Sequence, residues 1–236
     1  STRSERKIQS FLTLPGWTSG QYSRRAPEVA TPARRETRPA RRAKISLHKS
    51  ETGVRMQYEL YYWPSIQGRG EFVRLALEEA GADYVDVARE SGRGMGIPAM
   101  MQLMQRAGVD RPPFAPPFLR AGKLLIAHTA NILQYLGPRL GLVPKAEAGQ
   151  LWAHQLQLSV TDFLVEVHDT HHPIANSLYY ADQKAEARRR SKHFLAERVP
   201  KFLDYFESVL QSNSKGKAYM IGRSLTYIDL SMFQII

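Results

Sequence analysis

Apolar positions recur with two periods along this chain, and the change between them divides it. Residues 58–62 are an aromatic-rich run ended by Trp63-Pro64, and the pattern predicts a strand stopped by proline. Gly68 and Gly70 then open a helical pattern. Phe72, Leu75, Ala76 and Ala80 share one face, and Gly81 ends it. Residues 84–87 predict a second strand. A strand, a short helix and a strand imply a right-handed crossover with parallel strands. A short helix is expected at 100–106. Beyond Pro116-Pro117, residues 118–120 and 124–127 flank Ala121-Gly122-Lys123, which predicts a β-hairpin. Thr129 is placed to cap a helix running through Ile132 and Leu136 to Gly137. From there the period is helical only. Trp152, Leu156, Val160, Phe163 and Val167 form one stripe, and Leu195, Val199, Phe202, Phe206 and Val209 form another. Thr226 and Asp229 form a capping box ahead of Leu230, Met232, Phe233, Ile235 and Ile236.

The element order over 56–138 is that of an α/β thioredoxin-like domain, and 146–236 predicts an all-α helical domain. The last helix has a start signal and no stop signal, so the helical domain is expected to be incomplete at its C-terminus. Residues 1–55 have neither period. Their one apolar cluster is Phe11, Leu12, Leu14 and Trp17, which cannot offset the entropy of ordering the segment. A disordered basic extension is expected there, with Met56 in the place of a native start.

Charge sharpens that division. The chain of 236 residues carries a formal net charge of +11. Residues 1–55 hold thirteen Lys and Arg against four Glu, leaving twenty bases against eighteen acids for 56–236. The basicity therefore belongs to the extension and says little about a ligand of the folded part. Nucleic acid is not the expected partner. No apolar run reaches the length of a membrane span. The chain has no cysteine, which excludes disulfides, cysteine-ligated metals and a cysteine nucleophile. His168, Asp169, His171 and His172 suggest a metal site by spacing. No third ligand supports it, Pro173 follows at once, and a helix end is the expected reading.

Taken in order, several segments resemble the soluble glutathione transferase family. They are Tyr62-Trp63-Pro64 through Gly68-Arg69-Gly70-Glu71 and Arg74, then Pro116-Pro117, then His128-Thr129-Ala130-Asn131-Ile132, and finally Ile221-Gly222 through Thr226-Tyr227-Ile228-Asp229. The match spans about residues 57 to 236 and is most similar to the tyrosine-type classes: alpha, mu, pi and sigma.

The resemblance implies that glutathione arrives as co-substrate, without a cofactor or metal, and that its thiolate attacks a hydrophobic electrophile in a detoxifying reaction. Tyr62 matches the hydroxyl that stabilises the thiolate. Tyr61 competes with it by position, because strand neighbours point to opposite faces. Arg69 matches an arginine that adds positive field near the sulfur. Glu71 and Arg74 are expected to form a helix surface pair. Pro117 matches a cis-proline beside which the peptide part of glutathione pairs as an added strand. Pro116 offers a carbonyl but no N–H, so one backbone bond is lost and weakened glutathione binding is expected. Thr129 matches the helix start that receives the γ-glutamyl carboxylate, with His128 beside it in place of the commoner glutamine. Asp162 resembles the carboxylate that reaches the γ-glutamyl ammonium across a dimer interface. Trp63, Met104 and residues near His168 are candidate walls for the electrophile.

The resulting expectation is a cytoplasmic, homodimeric glutathione transferase. The alternative is a non-catalytic glutathione-binding or structural relative, favoured by Pro116. Deleting residues 1–55 is expected to leave conjugation by the remaining chain unchanged. Parallel assays of both forms check this, and a lost activity would assign the extension a role.

Overall fold

The sheet is built around its first strand. The computed structural model describes residues 57–105 and 110–236. The extension expected over 1–55, Met56 and the end of the helix expected at 100–106 lie outside the described residues. Strand β1 (Tyr58–Tyr61) pairs in parallel with β2 (Tyr84–Asp86) on one side. On the other side it pairs antiparallel with β3 (Phe118–Ala121), which turns back into β4 (Leu124–Ala127). The strand order is β2-β1-β3-β4. Between β1 and β2 runs α1 (Gly68–Glu79), and α2 (Gly96–Gln105) precedes the hairpin.

Alternation along β1 sorts the two faces. Tyr58 and Leu60 join Leu119 and Ala121 of β3 in one layer with Val73, Leu77, Ile132 and Leu136. The last two belong to α3 (Thr129–Leu140), so α1 and α3 cover this face. Tyr61 and Phe118 face the other way, stacked with ring centroids 4.8 Å apart, against Met100 of α2. A fully buried Leu or Ile contributes roughly 1.5–3 kcal/mol. Packing of this kind, rather than the helices' intrinsic propensity, holds such short elements together. α3 runs past Gly137 through Pro138 to Leu140, because Gly141 supplies the left-handed cap at φ 72°.

The helical part begins with α4 (Glu147–Asp169). After a 3-10 turn at Tyr180–Gln183 come α5 (Lys184–His193), a π-helical turn at Phe194–Arg198 and α6 (Val199–Ser212). The continuous stripe from Leu195 to Val209 predicted one helix. The break falls before Pro200, which has no N–H to donate and crowds the carbonyl four residues back. α7 (Tyr227–Ile235) carries the predicted capping box. Asp229 accepts the Thr226 N–H at 2.7 Å and the Thr226 hydroxyl at 2.7 Å, and its other oxygen accepts the Met220 N–H at 2.7 Å. The described residues belong to one compact unit, and α7 packs against both α1 and α4. Its Tyr227 ring lies so close to α3 that a Cβ on Gly137 would come within 2.8 Å of it.

Asp229→Ala removes three bonds at once and leaves the Met220 and Thr226 N–H groups to find water. A loss of about 2–3 kcal/mol is expected in urea unfolding. A change under about 0.5 kcal/mol would show that the box does not hold α7 in place.

Candidate functional site

Tyr62 follows β1 directly and is buried. Its hydroxyl accepts the Arg69 N–H at 2.9 Å, at the start of α1. The fit is close. A Cβ on Gly68 would lie 2.3 Å from the hydroxyl oxygen, and one on Gly70 would lie 2.4 Å from Cδ1 of the ring. Only glycine leaves room for this ring beneath the helix start, and Gly68 also takes φ 41°. Burial pushes the Tyr62 hydroxyl above its ordinary pKa, against the Arg69 N–H bond and the charges of Arg69 and Arg74. It therefore stays protonated at neutral pH. Because it accepts from Arg69, its own proton remains to be donated.

Tyr61 is committed elsewhere. Its hydroxyl donates to Glu59 at 2.5 Å, and Glu59 also accepts from Arg120. Burial would raise the Glu59 carboxyl, but the bonds from Arg120 and Tyr61 outweigh it and hold the carboxyl low.

The Arg69 backbone links Tyr62 to a second feature. Its carbonyl accepts the Thr129 hydroxyl at 3.2 Å. Thr129 was expected to cap α3. It is instead the first helical residue, with its hydroxyl donated to Arg69, and His128 holds the cap position. The first N–H groups of α3 have no intrahelical acceptor and carry the positive end of the helix dipole, which suits an anion. His128 has φ 74° and ψ 121°, a conformation that costs a non-glycine residue about 1–3 kcal/mol.

A cavity of ≈ 420 Å³ opens beside these groups. Arg69, Pro116, Pro117, His128 and Thr129 line it, so five of the predicted residues share one space. The Pro116–Pro117 bond is cis, as expected for Pro117. Tyr62 stands behind Arg69 rather than in the wall. Asp162 is exposed on α4 and does not line the cavity within this chain. Trp63, Met104 and His168 do not line it either.

The opposite wall is α4, with Gln157, Val160, Thr161, Leu164 and Val165, and the loop residue Asn176 closes one side. Gln157 was missed in the sequence, although a polar residue beside the apolar stripe of α4 marks it. It is buried, and its side-chain oxygen accepts the Ser231 hydroxyl of α7 at 2.7 Å. The loop carrying Asn176 is held by buried Gln183, which accepts the Ile174 N–H at 2.9 Å and donates to the Leu178 carbonyl at 3.1 Å. The histidines lie at the end of α4 as expected. The His168 and His172 rings stack 5.1 Å apart, and burial lowers the pKa of His171. Among the described residues no group of three or more His, Asp or Glu is arranged to hold a metal. No described helix is long and apolar enough to cross a membrane.

A mixed four-stranded sheet, a cis-proline ahead of its hairpin and a cavity against an appended helical array define a thioredoxin-like domain joined to a helical one. The comparisons agree. Residues 168–236 match the family described as "Glutathione S-transferase, C-terminal domain". The chain is 26% identical over 181 residues to a glutathione S-transferase of Plasmodium falciparum, covering 75% of this chain and 77% of that one. It is 27% identical over 177 residues to glutathione S-transferase 1 of Ascaris suum, covering 74% and 76%. Among solved structures, the glutathione S-transferase of Ascaris lumbricoides superposes with a TM-score of 0.54 at 24% identity, covering 75% of this chain and 78% of that one. The Pi-class enzyme of Onchocerca volvulus gives 0.56 at 20% identity, covering 75% and 74%. Over about three quarters of its length the chain is thus similar to glutathione transferases, and its fold is theirs.

Replacing His128 by glycine relieves the positive φ. His128→Gly is expected to stabilise the fold by about 1 kcal/mol, seen as a higher unfolding midpoint. An unchanged or lower midpoint would show that the backbone there is not strained.

Proposed function

We propose that this chain conjugates the glutathione thiolate to hydrophobic electrophiles, in the manner of the tyrosine-type classes and without a cofactor. One observation carries the reading. The backbone of Arg69 receives Tyr62 on its N–H and Thr129 on its carbonyl, which sets a hydroxyl donor and an anion-accepting helix end one residue apart. Glutathione needs both, a donor for its sulfur and a site for its γ-glutamyl carboxylate. A free thiol titrates near pKa 8.5, so a donor that favours the anion raises the reactive fraction at neutral pH. In this reading Tyr62 donates to the sulfur and Arg69 adds positive field. His128 and Thr129 receive the carboxylate, and the peptide part lies along Pro116 and Pro117.

Asp162 joins the site only if a second copy presents it. Its exposure supports that arrangement, as do exposed Leu151, Leu158 and Val165 on the same helix and exposed Phe114 on the loop before β3. The homodimer, the cytoplasmic location and the division at 56–138 and 146–236 belong to the same proposal. Pro116 supports a second reading as a binding protein without turnover, since it leaves the peptide one N–H short.

Tyr62→Phe is expected to lower kcat/KM with an activated aryl halide by roughly 10- to 100-fold, or about 1.4–3 kcal/mol. Equal rates in the two proteins would remove Tyr62 from the mechanism. Retention of the unaltered protein on immobilised glutathione without conjugation would select the binding reading.

A further inference from the structure

Arg74 was expected on the surface of α1 and is instead 3% exposed. The pairing with Glu71 is present at 3.1 Å, but the closer partner is Asp86 at the end of β2, at 2.6 Å. Asp86 also meets the half-exposed Arg89 at 3.4 Å. The Arg74 guanidinium lies 5.7 Å from the centre of the Tyr62 ring. The pair is incompletely satisfied. Arg74 Nη2 and Asp86 Oδ1 are buried and make no hydrogen bond among the described residues. A pair that served only to tie α1 to β2 would gain from a two-pronged contact that satisfies both.

We infer that Arg74 is a positioning residue for Tyr62: anchored by Asp86 and Glu71, it backs the Tyr62 ring with a buried cation and favours hydroxyl donation to a thiolate. The inference rests on the reading of Tyr62 as the thiolate donor. Among the described residues, Arg69 is the other charge that bears on the Tyr62 hydroxyl. Arg69 starts α1, and His128 stands at the start of α3. Tyr84 on β2 is held neutral, since burial and its bond to Glu78 push its pKa up. A cation at this distance lowers the cost of negative charge developing on the hydroxyl and sulfur, and its two carboxylates moderate the effect.

The signs of the two substitutions differ, which separates this role from a merely structural one. The thiol pKa of bound glutathione is read by thiolate absorbance in titrations of the full chain, beside the pH profile of kcat/KM. Arg74→Met is expected to raise that pKa by about half a unit or more. Asp86→Asn leaves the cation less neutralised and is expected to lower it. Arg74→Lys, which keeps the charge, should restore most of the shift. Should Arg74→Met fail to fold, Asp86→Asn and Arg74→Lys carry the test. Shifts of the same sign, or lost activity with an unmoved pKa, would overturn the inference. If Tyr62→Phe also leaves the bound thiol unmoved, the underlying reading falls. If Tyr62→Phe moves it and the Arg74 and Asp86 variants do not, only the present inference falls.

Discussion

The contact between the Tyr62 ring and the start of α1 sets most of the remaining geometry. Two glycines are placed so that the backbone can close over the ring, and a Cβ at either would overlap it by more than an ångström relative to ordinary contact. Closing over the ring brings the Arg69 N–H to the hydroxyl. The Arg69 carbonyl is thereby turned toward Thr129, which draws the start of α3 against the same turn. Two elements distant in sequence thus meet at one residue, and the cavity opens where they meet.

The helical part completes this site from the far side. Asp229 fixes the entry to α7, and α7 sends Ser231 into α4 to hold the oxygen of Gln157. That bond satisfies a buried amide oxygen on the cavity wall, so the box that positions α7 also bears on the site. The same box brings Tyr227 onto Gly137, where only a glycine admits the ring. α3 is therefore pinned at both ends, by Arg69 at its start and by α7 near its end.

Most of the sheet was legible because its strands are short, apolar and bounded by proline or glycine. The GRG motif at 68–70 and the capping box at 226–229 were legible for the same reason, as both are local. What escaped reading was tertiary. Glu71 and Arg74 have the spacing of a surface pair, and nothing local shows that Asp86 arrives to bury the arginine. Thr129 has the residue type of a helix cap, yet a partner sixty positions away claims its hydroxyl. The stripe from 195 to 209 is unbroken in periodicity, and the proline within it decided the break. Tyr61 and Tyr62 could not be separated by pattern alone. Glu59, two residues back on the same strand face as Tyr61, separates them.

The absence of cysteine gives this arrangement its chemical direction. The sequence has no cysteine, so in the proposed reading the reacting sulfur is the one that glutathione brings. The groups around the cavity suit that task, since they stabilise anions rather than attack. They are a protonated buried hydroxyl, a half-buried arginine and a helix start. Strain at His128 lies on the same wall, and strain persists where surrounding structure holds it. Thr129, the next residue, is bonded to the Arg69 carbonyl, so the residue whose N–H meets the Tyr62 hydroxyl is also tied to the strained start of α3.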